Sequence, residues 1–332
     1  MFVVNSLPVA IAFCIVTMLG WGSWANTQKL AGKEKWPFQL FYWDYGIGVL
    51  LFGILFSHTL GSMGTAGMSA VANMHGGAEW SYVGLAAASG AIFNLSNILL
   101  VVGIDAAGMA VAFPVGVGLA LVIGTVTTYM SEPKGNPVLL FGGVALVGFA
   151  MLMSAKAHSA LPRQTGKSGL RGVAYSAAAG VLMGFFYPLL MRAISPDFNT
   201  RPIAPGLLTP YVALFFFGAG VFLSNFACNA WFMRLGRVSV GAYFRGRAWL
   251  HLIGILGGAI WMLALSFNVI ASGVAGPAIS YALGQGATLV AALWGIFIWR
   301  EFREAPPGTG KVLALMLAGY TGGLVLIGAA TQ

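Results

Sequence analysis

Ten runs of about 20 predominantly apolar residues, the length that spans a bilayer as a helix, follow one another along this 332-residue chain. They cover roughly 7–29, 39–60, 81–104, 107–130, 137–156, 169–193, 207–233, 249–271, 274–299 and 310–330. In hydrocarbon the backbone must satisfy its own hydrogen bonds, and a helix does so within one segment. The runs therefore predict an all-α polytopic membrane protein of ten transmembrane helices. Only 8% of residues are charged, against about 25% in soluble domains. The longest hydrophilic link, 61–80, leaves no room for a soluble domain. The first run is too long for a signal-peptide core and lacks a basic leader, so it reads as a retained helix.

The net charge of +9 would suggest nucleic acid in a soluble protein. Here the basic residues sit in short loops and read as topology signals. Fourteen of the 17 Lys and Arg residues, Lys29, Lys33, Lys35, Lys156, Arg163, Lys167 and Arg171 among them, follow spans 1, 3, 5, 7 and 9. Lys134, Arg192 and Arg201 lie on the other side. This bias predicts cytoplasmic odd-numbered loops and both termini outside, in a bacterial inner membrane. The basic stretch "RLGRVSVGAYFRGRA" (234–248) suits anionic lipid better than nucleic acid. Cys14 and Cys228 are too few for a disulfide framework, and the four histidines form no ligand cluster, so no metal or cofactor is expected.

Shifted by 168 positions, residues 90–122 lie without a gap on 258–290, with twelve of 33 identical. The match sets spans 3 and 4 on spans 8 and 9, which predicts two five-helix halves, 1–160 and 161–332. Five is odd, so the halves have opposite orientation. Inverted repeats of this kind are typical of secondary transporters that alternate access around a site near the midplane. Spans 1, 3, 4, 6, 8 and 9, with residues of span 2, are expected to line it.

The stretches "GWGSWANTQKL", "FYWDY", "NLSN", "AFPVGVGLALV" and "SYALGQGATLVAALWGIFIWREF" resemble the drug/metabolite transporter superfamily. Within it they resemble the branch of glucose/ribose porters, rhamnose–proton symporters and ureide permeases, over nearly the whole chain. The resemblance implies uptake of a small neutral polar metabolite, most often a monosaccharide, by symport with a cation, proton or sodium. The central loop holds Gly166-Lys167-Ser168, but Leu161 occupies the position where a phosphate loop needs glycine.

Polar side chains inside spans are costly unless they serve a site or a helix contact. Trp21, Trp24 and Gln28 follow i, i+3, i+7 spacing on one face, with Asn26 beside them. The tryptophans suit stacking on a ring, and the amides suit hydrogen bonds to a polar cargo. Trp21 lies about 12 Å from Lys29 along the helix, deeper than an interfacial belt. Asn94 and Asn97 share a face of span 3, where the second half has Met262 and Leu265. Tyr281 and Gln285 of span 9 replace Phe113 and Val117, and Trp261 joins them from span 8. These residues, Phe113 included, form the expected substrate site. Asn225 and Asn229 share a face of span 7, where helix pairing explains them nearly as well. Asp44, about five residues into span 2, is the expected coupling or gating residue, with Lys29 as its expected partner.

A ureide or nucleobase permease of the same fold is the alternative reading. An exporter of lipophilic cations ranks lower because Asp44 is shallow. No catalytic cluster points to an enzyme. The glycine-rich faces would serve internal packing or an oligomer equally well.

Overall fold

The computed structural model describes residues 1–107, 109–161 and 170–331. The side chains of Asp105, Met109, Ala110, Val111, Phe113 and Pro114 also lie outside the described set. The triplet 166–168 and the expected role of Phe113 therefore fall outside the described residues.

In chain order the helices are α1 (Leu7–Ser23), α2 (Ala25–Lys33), α3 (Phe38–His58), α4 (Leu60–Met63), α5 (Ala70–Ala72) and α6 (Trp80–Ala107). There follow α7 (Met109–Ser131), α8 (Pro137–Ser159), α9 (Leu170–Ala193), α10 (Pro210–Ser224), α11 (Cys228–Leu235) and α12 (Val240–Tyr243). The chain finishes with α13 (Ala248–Ala275), α14 (Pro277–Gly284), α15 (Ala287–Leu293) and α16 (Thr309–Ala329). Among the described residues, nine helical segments are long and apolar enough to cross a membrane, several of them built from consecutive helices such as Leu7–Lys33 and Pro210–Leu235. The expected fourth span falls on α7, whose segment Val115–Ser131 is apolar but shorter. No strand occurs among the described residues, only two isolated bridges, Ala78–Gly206 and Ile194–Leu208.

Local chemistry sets the helix ends. Asn136 caps α8 by accepting from the N–H groups of Val138 and Leu139, and Thr209 caps α10 by accepting from Val212. Both caps precede a proline at the first helical turn, where no N–H is needed. Between α13 and α14 the chain turns at Gly276, whose φ of +83° favours glycine.

Two compact units emerge, and each draws on both halves of the sequence. The first comprises Met1–Leu95 and Leu189–Val274, the second Ser96–Pro188 and Ala275–Gln332.

In the first unit the helices meet backbone to backbone. On α3 and α13, a Cβ added at Gly258 would overlap the Tyr45 carbonyl, and one at Gly48 the Ile255 carbonyl. On α6 and α10, a Cβ at Gly90 would overlap the Phe217 carbonyl, and one at Gly220 the Ala87 carbonyl. Gly254 and Gly258 form a GxxxG pair, the spacing that lets membrane helices approach closely. Helix α1 packs on α13 as well, where the Thr17 hydroxyl donates to the Ala264 carbonyl at 2.9 Å.

The second unit packs α8 against α16 through Gly143 and Gly323, each facing the other's carbonyl. In the same unit Tyr281 of α14 donates to the Ala120 carbonyl of α7 at 3.1 Å, and its ring fills the space over Gly124. The faces of α1, α8 and α16 that leave the packing expose Ile15, Leu19, Leu152, Leu315 and Val325, an apolar coat suited to lipid.

Because Gly258 has no room for a methyl group, Gly258→Ala is expected to destabilise the protein by about 1–3 kcal/mol. The thermal unfolding midpoint of the purified protein in detergent would read this as a clear drop. Gly148→Ala, at an open position on α8, should leave that midpoint unchanged.

Candidate functional site

The N-terminal helices pack two half-buried tryptophans into the first unit. Trp21 stacks on Trp261 of α13 with ring centroids 5.8 Å apart. Trp261 stacks in turn on Phe93 at 4.0 Å and on Phe217 at 5.7 Å. One turn further along, Trp24 packs on Tyr45 of α3 at 5.0 Å, and Tyr45 on Tyr42 at 5.3 Å. Helices α1, α3, α6, α10 and α13 thus contribute to one aromatic wall.

An amide network continues it. Asn94 of α6 donates to the Oδ1 of Asn225 and to the Oγ of Ser224, both at 2.9 Å. Asn225 donates to the Tyr42 carbonyl at 3.0 Å. One turn on, Asn229 donates to the Gln39 carbonyl at 2.7 Å. The span 7 asparagines therefore tie α10 and α11 to α3, as helix pairing would have it.

Beside this wall several buried polar atoms have no hydrogen-bond partner among the described residues: Trp21 Nε1, the hydroxyls of Tyr42 and Tyr45, and Asn94 Oδ1. Buried polar groups are nearly always paired, and each left unpaired costs about 1–3 kcal/mol. Together they offer one fixed N–H donor, one fixed acceptor and two hydroxyls that can act either way. Such a set beside flat aromatic faces fits a small, planar, neutral ligand carrying both N–H and C=O groups.

The other expected site residues are distributed more widely. Asn26 donates to the Ser23 carbonyl at 2.9 Å, within its own segment. Gln28 is half-buried on α2. Asn97, Tyr281 and Gln285 are buried in the second unit, where the Asn97 amide nitrogen lacks a partner among the described residues. Tyr42 and Tyr45 were not among the expected residues. Their signal lies in "FYWDY", which sets the two hydroxyls three apart on one helical face.

Asp44 lies on the same helix, 1% exposed. Its partners differ from the expected Lys29: Asp44 accepts from the Tyr243 hydroxyl at 2.6 Å, and His251 Nδ1 lies 2.9 and 3.1 Å from its two oxygens. A glycine makes this possible, because a side chain at Gly254 would collide with the Asp44 Cβ. Edge-on rings of Trp36 at 5.6 Å and Tyr243 at 4.6 Å enclose His251. Burial, then the hydrogen bond to Asp44, raises the Tyr243 phenol above its ordinary range, so it stays a neutral donor. At the same end Arg247 pairs with Glu34 on the surface.

Comparison with known proteins adds the family. Residues 160–330, just over half of the chain, match the ureide permease family model. Ureide permease 1 of Arabidopsis thaliana is 24% identical over 96% of this chain and 95% of its own length. Ureide permease 4 of the same plant is 23% identical over 98% of both chains. Nine membrane-length apolar helices among the described residues agree with a membrane-embedded transporter of small molecules, and this chain belongs to the ureide permease family.

Proposed function

We propose that this protein carries a ureide, or a closely similar planar amide-rich metabolite, across the membrane by alternating access. The set of unpartnered buried atoms at Trp21, Tyr42, Tyr45 and Asn94 carries the reading. A ureide presents N–H groups to Asn94 Oδ1 and carbonyls to Trp21 Nε1, while the Tyr hydroxyls take either. Its flat ureido group lies against the aromatic wall. A monosaccharide would also meet aromatic faces and amides, but the relatives named for ureides favour the first cargo.

Pairs of matching contacts support ten helices in two inverted halves. Gly90 against the Phe217 carbonyl corresponds to Gly258 against the Tyr45 carbonyl. Gly220 against the Ala87 carbonyl corresponds to Gly48 against the Ile255 carbonyl. One shift, 168, relates α6 to α13 in both pairs, and one shift, 172, relates α3 to α10 in both. Random packing would not preserve both register shifts, whereas a pseudo-twofold axis in the membrane plane requires them. The same correspondence supports the proposed division into 1–160 and 161–332.

The proposed transport is cation-coupled, with the proton first as the resemblance to proton symporters implies, and Asp44, buried within a span, is assigned to gating. The charge bias favours cytoplasmic odd-numbered loops and external termini in a bacterial inner membrane. A reporter that is active only in the cytoplasm should be silent when fused after Gln332 and active in the 234–248 loop. Activity at the C-terminus would reverse the orientation.

In proteoliposomes, labelled allantoin should enter and be competed by ureides but not by pentoses or hexoses. Asn94→Ala and Tyr45→Phe should each raise its KM by about tenfold, as loss of one ligand hydrogen bond predicts. Trp80→Phe, at a position 83% exposed, should leave KM unchanged. Uptake of sugars with no ureide uptake would return the cargo to the monosaccharide reading.

A further inference from the structure

A buried carboxylate in a membrane span is expensive unless paired, and Asp44 is paired unusually. Tyr243 comes from the short helix α12 and His251 from the start of α13. One carboxylate thus ties α3 to two elements that are 199 and 207 residues away in sequence. The pair is graded in exposure: the His251 side chain is 23% exposed and that of Asp44 only 1%. The imidazole is therefore partly accessible and the acid is not.

We propose that His251 and Asp44 form a proton-binding latch that holds α13 against α3, and that its proton occupancy sets the rate at which this end of the permease opens. The latch rests on the permease reading.

With Asp44 ionised, its contacts require Nδ1–H on His251 and O–H on Tyr243 as donors, so Nδ1 is already protonated. Nε2, on the Gly246 side, is the position left for a proton from water. Its protonation converts a buried anion held by neutral donors into an ion pair, which strengthens the tie across α3 and α13. Loss of that proton weakens the tie. Acid therefore favours the latched arrangement, and rising pH frees it.

The titratable groups facing Asp44 from the packed elements are Tyr243 on α12 and His251 on α13; Tyr42 and Tyr45 flank it on α3. At the α2 end, Glu34 is engaged by Arg247. The device exists in one half only. At the positions related by 172 and 168, Asp44 corresponds to Phe216 and His251 to Val83. The contact that the latch reinforces also borders the proposed cargo site, because Tyr45 follows Asp44 directly and packs on Gly258 and Trp24.

Two readouts test this on the full-length protein. In proteoliposomes with equal pH on both sides, exchange of labelled for unlabelled allantoin should slow about tenfold from about pH 8 to pH 5, the range over which imidazoles change charge. Asp44→Asn and His251→Gln should flatten the profile. Without any cargo, the emission difference between wild type and Trp36→Phe should follow the same pH transition, because Trp36 lies against His251. That transition should vanish in His251→Gln.

A wild-type pH profile retained in both variants overturns the latch, as does a Trp36 signal that ignores pH. If the wild type exchanges no allantoin, the cargo reading fails, and the Trp36 transition alone decides the latch. Should Asp44→Asn fail to fold, His251→Gln decides it by both readouts.

Discussion

Helices α3 and α13 touch through their backbones, and much of the first unit follows from that contact. Gly48 and Gly258 take the carbonyls of Ile255 and Tyr45 against their Cα atoms. At that separation no side chain fits between the helices. Side chains that would otherwise fill the seam are displaced to its edges. Asp44 and His251 meet at one edge, and Tyr45 turns toward Trp24 at another, with Tyr42 packed on Tyr45. In lipid no hydrophobic gain drives helices together, so close packing and a few hydrogen bonds must hold them. Thr17 on Ala264 and Asn225 on Tyr42 supply such bonds beside the glycine contacts.

The same geometry divides the polar groups into two kinds. Asn225 and the amide nitrogens of Asn94 and Asn229 are spent on neighbouring helices, which fixes the wall. The remaining atoms, Asn94 Oδ1, Trp21 Nε1 and two Tyr hydroxyls, are held in place by that wall but leave their own bonding unmet. On the reading proposed above, a rigid scaffold whose groups lack partners among the described residues is preorganised for its cargo, which forms hydrogen bonds without ordering the protein first. Asn94 and Asn229 belong to both kinds at once, since the nitrogen of each is anchored while its oxygen has no partner among the described residues.

Membrane helices were legible because apolar length is a one-dimensional property. Among the described residues, nine membrane-length segments fall where the apolar runs lie, and α7 shows how a boundary can shift when only part of a run is described. Trp21, Trp24 and Trp261 were legible as a group because aromatic residues deep in a span stand out from Leu, Val and Ile. The partners of Asp44 were not. Counting residues gives depth along a helix, and depth suggested Lys29. It gives no azimuth, and the face of α3 that carries Asp44 turns to α13 rather than α2. Tyr243 also looked like part of a basic lipid-facing loop, and nothing in "GAYFRGRA" signals that its phenol turns inward. Tyr42 and Tyr45 were hidden by their own chemistry, because a Tyr ring in an apolar run reads as core until its hydroxyl proves unpaired.

Phe216 and Val83 stand at the positions that shifts of 172 and 168 give for Asp44 and His251, and the difference reaches beyond charge. A charge-assisted tie responds to protons and to competing ions. The contact between α6 and α10 rests instead on close glycine packing and neutral amide hydrogen bonds. The ionic composition of the surroundings therefore acts on the seam between α3 and α13 and leaves that between α6 and α10 alone.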